Sequence, residues 1–107
     1  MVQEGIVMVK HVILWQLKDG LSDSEKTEIR AGIKESLESL SGKIPGLIRI
    51  KVETDPLASS NADVMLDSVF EDAESLNGYA VHPEHVAVAD SRVRPYVKLR
   101  VCMDFEV

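Results

Sequence analysis

Three of the residues in this 107-residue chain that could carry chemistry, Tyr79, His82 and His85, gather in one stretch, Tyr79-Ala80-Val81-His82-Pro83-Glu84-His85, while a third histidine, His11, lies on the first strand. An imidazole titrates near neutrality and can take or return a proton. A tyrosine hydroxyl can donate to a developing enolate or alkoxide. Tyr79 and His85 are therefore candidates for an acid–base pair, with Pro83 breaking the helix between them so that both side chains turn toward one cavity. The alternative places both in a helix–sheet core, their polar tips satisfied locally. His82 and His85 also have the spacing of two metal ligands on a helical turn, with Glu84 or His11 to supplement them. His82 precedes Pro83, however, and is expected to cap the helix, and no zinc pattern completes the set. No metal and no cofactor are expected.

Other chemistries find less support. Cys102 is the sole cysteine, so it has no disulfide partner and no second thiolate for a zinc site, and no sequence neighbour lowers its pKa. Ser59-Ser60 lacks a glycine-rich elbow, and the six glycines are too scattered to cradle a phosphate. Arg92 and Arg94 are expected at the surface, paired with Asp90 or a glutamate. Eighteen acidic against twelve basic residues, a net charge of −6, argue against nucleic acid and against an anionic membrane as partners. The longest apolar runs, about four residues, fall far short of the roughly 20 that span a bilayer. The first ten residues lack the layout of a signal peptide. A cytoplasmic single domain is expected.

A scaffold must hold these groups, and no repeat or linker divides the chain. Residues 9–17 alternate as a strand, with Val9, His11, Ile13, Trp15 and Leu17 on one face and Lys10, Val12, Leu14 and Gln16 on the other. Both faces carry apolar groups, as in a strand covered on both sides. Ser22-Asp23-Ser24-Glu25 is a capping box. It opens a helix whose stripe is Ile29, Ile33, Leu37, Leu40 and Ile44, stopped at Ser41-Gly42. Lys26, Glu28, Arg30, Lys34, Glu35 and Glu38 fall on its solvated surface. Residues 47–54 read as a half-polar strand with Ile48, Ile50 and Val52 on one face, and residues 63–70 as a third strand. Asp72 caps a short helix over 72–79, and Pro83 opens another helical piece over 83–93. Residues 96–107 close the pattern as a strand.

The order strand, helix, strand, strand, broken helix, strand is the split βαβ of the ferredoxin-like class: an α+β fold with a four-stranded antiparallel sheet and helices on one face. The other face would carry Val12, Leu14, Met65 and Val69, too apolar for water. Two copies packed sheet to sheet would bury it, so a homodimer is expected. Met8 can serve as an internal start, leaving residues 1–7 as an N-terminal extension and 8–107 as the domain.

Three segments carry a resemblance: KHVILWQLKD at 10–19, Ile44-Pro45-Gly46-Leu47, and FEDAESLNGYAVHPEH at 70–85. Together they resemble the stress-responsive α/β-barrel domain family, over nearly the whole chain. The resemblance implies a ferredoxin-like homodimer whose sheets together enclose a barrel. One plant member, olivetolic acid cyclase, closes a linear polyketide without a cofactor. By that similarity Tyr79 and His85 fall on catalytic positions and His11 on a cavity histidine. Val64 stands where another cavity histidine would be, and Ile29 and Ile33 replace helical aromatics.

The expected ligand-binding set is thus His11, Ile13, Trp15, Ile29, Ile33, Val64, Leu66 and Val86. The leading expectation is a homodimer binding a small apolar or weakly polar molecule in a helix-side cavity. A second is a cofactor-free cyclase, isomerase or lyase with His85 as base and Tyr79 as hydroxyl donor on a carbonyl compound. A third is a purely structural dimer.

Overall fold

Val9, His11, Ile13, Trp15 and Leu17 are all buried, whereas Lys10, Val12, Leu14 and Gln16 are half-buried or exposed. This period-two burial belongs to a strand with one face against a core. The structure, a computed structural model, describes residues 7–107. Except for Val7, the expected extension lies outside the described residues.

The strand β1 (Val9–Leu17) is central in a four-stranded antiparallel sheet of order β2-β3-β1-β4, with β2 at Leu47–Glu53, β3 at Val64–Phe70 and β4 at Val97–Glu106. The long helix α1 (Asp23–Glu38) and the short helices α2 (Ala73–Val81) and α3 (Pro83–Val88) complete the split βαβ. Ile33, Leu37, Leu66, Phe70 and Tyr79 are among the most deeply buried side chains. The expected α+β architecture holds.

Local sequence explains most boundaries. The Ser22 hydroxyl accepts from the Glu25 amide at 3.1 Å, and the Glu25 carboxylate accepts from the Ser22 amide at 3.0 Å, so the capping box is complete. The helix ends at Glu38, before its apolar stripe does. Leu40 and Ile44 remain buried, but they sit in turns that lead through Gly42, whose φ is +79°. Asp72 accepts from the Ser75 amide at 2.8 Å, and His82 Nδ1 accepts from the Glu84 amide at 3.1 Å ahead of Pro83. His82 is therefore the expected cap.

Three expectations are corrected. Leu47 pairs with Phe70 and Arg49 with Val69, leaving Ile48 as the extra residue of a bulge. Ile48 is consequently exposed, and Leu47 packs on the core instead. Lys34 and Glu38 are not simply solvated: the ammonium donates to the Val52 carbonyl at 2.8 Å, and the carboxylate accepts from the Val52 amide at 2.9 Å. They tie α1 to the backbone of an edge strand that otherwise presents unpaired polar groups. Burial raises the Glu38 pKa, but the Val52 amide and Lys34 outweigh it and leave it lowered. The last helical piece does not run regularly to Val93: α3 stops at Val88 and widens into a π turn over Ala89–Val93, followed by a 3₁₀ turn over Arg94–Tyr96.

The face away from the helices stays open in the single chain. It carries the half-buried Val12, Met65 and Val69 and the exposed Leu14, Leu99, Val101, Met103 and Phe105.

Gly46 has a φ of +80°, and a Cβ there would collide with the Ser75 side chain at the start of α2. Gly20 has a φ of +82° with open space around it. Gly46→Ala is therefore expected to cost about 1–3 kcal/mol more than Gly20→Ala, because only the former adds overpacking to backbone strain. Urea denaturation of the two variants measures this difference.

Candidate functional site

The sheet supplies the floor of a cavity of about 300 Å³ on the helix side. Ile13 and Trp15 of β1 and Leu66 of β3 form its apolar base. Leu37 of α1, Leu76 and Ala80 of α2, and Ala89 and Val93 of the π turn form its walls. His11, Tyr79, His85, Arg94 and Arg100 supply its polar groups. The structure thus brings together Tyr79, His85, His11, Ile13, Trp15 and Leu66 of the expected set.

Tyr79, on the last turn of α2, is 1% exposed. Its hydroxyl oxygen is buried and has no hydrogen-bond partner among the described residues. Burial pushes the phenol well above its ordinary pKa, only partly countered by the positive charge of Arg100. The hydroxyl therefore remains a neutral donor across the physiological range.

His85 lies against Tyr79, with ring centroids 4.0 Å apart and planes inclined by 33°. Its Nδ1 is 3.4 Å from the Ala80 carbonyl. A carbonyl only accepts, so Nδ1 carries the hydrogen and Nε2 keeps the lone pair in the neutral ring. Burial lowers the His85 pKa; the Ala80 carbonyl opposes this, and His11, Arg94 and Arg100 add to the lowering. The ring is neutral, and thus basic, at neutral pH.

His11 is 6% exposed, with its ring edge-on to Tyr79 at 5.9 Å and to Phe70 at 6.3 Å. Its Nδ1 donates to Asp104 Oδ1 at 2.5 Å. The fully buried Ser68 hydroxyl donates to the His11 carbonyl at 2.8 Å. The aromatic content is low, yet His11, Phe70, Tyr79 and His85 form one run of rings.

Four expected residues lie elsewhere. Ile33 and Val64 are fully packed in the core and do not reach the cavity wall. Ile29 lines a separate cleft with Leu21, Glu25, Glu28, Gly32, Arg92 and Tyr96. The stripe of α1 runs along the sheet, so its successive turns face different spaces, and only Leu37 faces this one. Val86 is half-buried on α3 outside the lining.

Sequence reading missed Arg94 and Arg100. Arg94 lines the cavity while ion-paired with Asp90, so the expected surface pair is real but sits at a cavity mouth. Arg100 stands opposite Trp15, and alternation along β4 was the signal that could have placed it. Cys102 does have polar neighbours from other parts of the fold: His11 Nδ1 is 3.8 Å from its sulfur and Asp104 Oδ1 is 3.5 Å away. Burial and the negative Asp104 push the thiol pKa up, so these neighbours do not make it a nucleophile.

The sequence profile of the stress responsive A/B barrel domain family, Dabb, matches residues 9–107. An uncharacterised protein of Streptomyces coelicolor is 31% identical over 84 residues, covering 75% of this chain and 81% of that protein. A dimeric protein of unknown function with a ferredoxin-like fold from Bacteroides fragilis superposes with a TM-score of 0.87 at 32% identity, over 94% of this chain and 96% of the other. A hydroxynitrile lyase from Passiflora edulis shares the fold with a TM-score of 0.73 at 17% identity, over 95% of this chain and 94% of the lyase. No helix among the described residues is long and apolar enough to cross a membrane. With the split βαβ, the Tyr79–His85 signature and a family profile spanning residues 9–107, the chain belongs to the stress responsive A/B barrel domain family.

Proposed function

We propose that this chain acts as a homodimer that binds a small, mostly apolar molecule bearing one polarised or ionised oxygen in the cavity between the sheet and α2–α3. The buried, unpartnered Tyr79 hydroxyl carries this reading. A buried hydroxyl without a partner costs about 1–3 kcal/mol, a cost that an accepting ligand oxygen removes on binding. Arg100 supports the same oxygen: it forms none of the ion pairs among the described residues and lines the same cavity. Apolar walls of Ile13, Trp15, Leu66 and Val93 suit the remainder of the ligand.

Dimerisation rests on the open sheet face and on the dimeric Bacteroides fragilis relative. Leu14, Val101 and Met103 would be buried against the same row of a second copy. The acidic composition and single cysteine fit a reducing cytoplasm and give nucleic acid no basic face to bind.

A catalytic reading is favoured by one specific observation: His85 keeps a free Nε2 lone pair beside a neutral hydroxyl donor. On a bound carbonyl compound, His85 would take a proton from the carbon next to the carbonyl while Tyr79 donates to the developing enolate oxygen. Isomerisation, cyclisation or elimination would follow without a cofactor. A purely structural role would leave the Tyr79 hydroxyl without a reason to stay unpaired.

Tyr79→Phe separates these roles. It is expected to leave the melting temperature equal or higher, since it removes only an unsatisfied group, yet to abolish the stabilisation that a phenolic or carbonyl ligand gives the native protein in a thermal-shift screen. If no such ligand stabilises the native protein, the binding reading fails.

His85 has a lower pKa folded than unfolded, so its contribution to stability is full above about 6.5, the unfolded value, and is lost as pH falls through the folded value. Stability of the native protein is expected to decline from about pH 6.5 downward, more steeply than that of His85→Gln. Urea denaturation across pH 5–8 reads the difference between the two curves.

A further inference from the structure

Among the described residues, one group of three side chains that can ligate a metal comes together: His11 on β1 with Cys102 and Asp104 on β4. His11 stands opposite Asp104 and Ile13 opposite Cys102, so in this register the three side chains share the helix-side face of two adjacent strands. Their donor atoms all lie within 4.8 Å of one another. His11 Nδ1 is 3.8 Å from Cys102 Sγ and 2.5 Å from Asp104 Oδ1, and Sγ is 3.5 Å from Oδ1.

We propose that His11, Cys102 and Asp104 form a binding site for a divalent transition-metal ion of the zinc or cobalt type. Bond lengths of about 2.0–2.3 Å to N, O and S at tetrahedral angles place the donors roughly 3.3–3.6 Å apart. The two separations that involve sulfur already match this within a few tenths of an ångström. Only the nitrogen–oxygen pair, closed by its hydrogen bond, must open, by about 0.8 Å to reach that tetrahedral spacing. The Asp104 side chain is 45% exposed and free to swing, whereas the His11 ring is held against Phe70 and Tyr79.

The donor set also selects the ion. One thiolate, one imidazole and one carboxylate suit zinc or cobalt, whereas magnesium and calcium prefer oxygen alone. On coordination the thiol proton of Cys102 leaves to solvent and the His11 proton shifts from Nδ1 to Nε2, so that sulfur and Nδ1 each offer a lone pair. Three protein ligands leave one position for water or another small ligand. The elements that meet here are separated by some ninety residues, so no local motif announces the site.

The test is a titration of the full chain with cobalt(II) in the absence of other metals. About one equivalent per chain is expected, with the near-ultraviolet thiolate-to-cobalt charge-transfer band and the strong visible bands of a four-coordinate ion, all displaced by zinc. Cys102→Ser alters an exposed side chain, so it is expected to fold. It should lose the charge-transfer band and bind cobalt at least tenfold more weakly. Asp104→Asn should also weaken binding about tenfold but keep the band, as expected for loss of one oxygen ligand. His82→Ala and His85→Gln should bind as the native chain does, which separates this site from the cavity pair. Absence of the charge-transfer band, or cobalt binding that survives Cys102→Ser but is lost in His82→Ala or His85→Gln, would overturn the proposal.

Discussion

The register of β1 between β3 and β4 is the constraint on which the rest of the molecule depends. From Val9 to Trp15 each β1 residue has a partner on both sides, so the face that His11 takes also decides the face of Ser68 and of Asp104. A shift by one residue would turn His11, Ile13 and Trp15 to the open side and Val12 and Leu14 to the helices. The cavity floor, the ring cluster and the His11–Asp104 hydrogen bond all exist in this register only. The deep burial of Ile13, Trp15, Leu66 and Phe70 is what holds it.

Several polar groups on the helix side are satisfied within the chain, while Arg30 Nε and Tyr79 Oη are buried without a partner among the described residues. Ser68 spends its hydroxyl on the His11 carbonyl, His82 on an amide at the start of α3, and Asp63 accepts from the Leu17 amide and from Arg30. Tyr79 Oη has no such partner among the described residues, although it lies at the side of a cavity. Widening of α3 into a π turn brings Ala89 and Val93 to that cavity, where a regular helix would rotate them by a different angle. The 3₁₀ turn that follows opens with Arg94, which also lines the cavity.

β4 links the two faces of the molecule. It is an edge strand, and its helix-side row of Arg100, Cys102 and Asp104 is polar although it stands beside the apolar Trp15 and Ile13. Its other row of Leu99, Val101, Met103 and Phe105 is apolar and uncovered. The chain's own helices do not extend over β4, which reverses the usual relation between apolar residues and the helix layer. A second copy would restore that relation for the open face while leaving the polar row beside the cavity.

Much of this was legible in the residues. Period-two alternation placed β1 and β3, the capping box placed α1, and Asp72, His82 and Pro83 placed the broken helix, because each of these signals is local and acts through the nearest few residues. The family signature pointed to Tyr79, His85 and His11. Alternation alone puts Ile48 on the core face, because a bulge is set by pairing rather than by composition. Lys34 and Glu38 look solvated from helical spacing alone because their partner, Val52, lies on another element. Ile33 and Val64 belong to the right faces but to a closed part of the core, a distinction that depends on where the helix axis crosses the sheet. The amino-acid sequence by itself determined the elements, their faces and the candidate pair. Only the tertiary structure decided that Arg100 meets the cavity, that Tyr79 has no hydroxyl partner there among the described residues, and that Cys102 and Asp104 stand beside His11, since strand pairing joins residues some ninety positions apart.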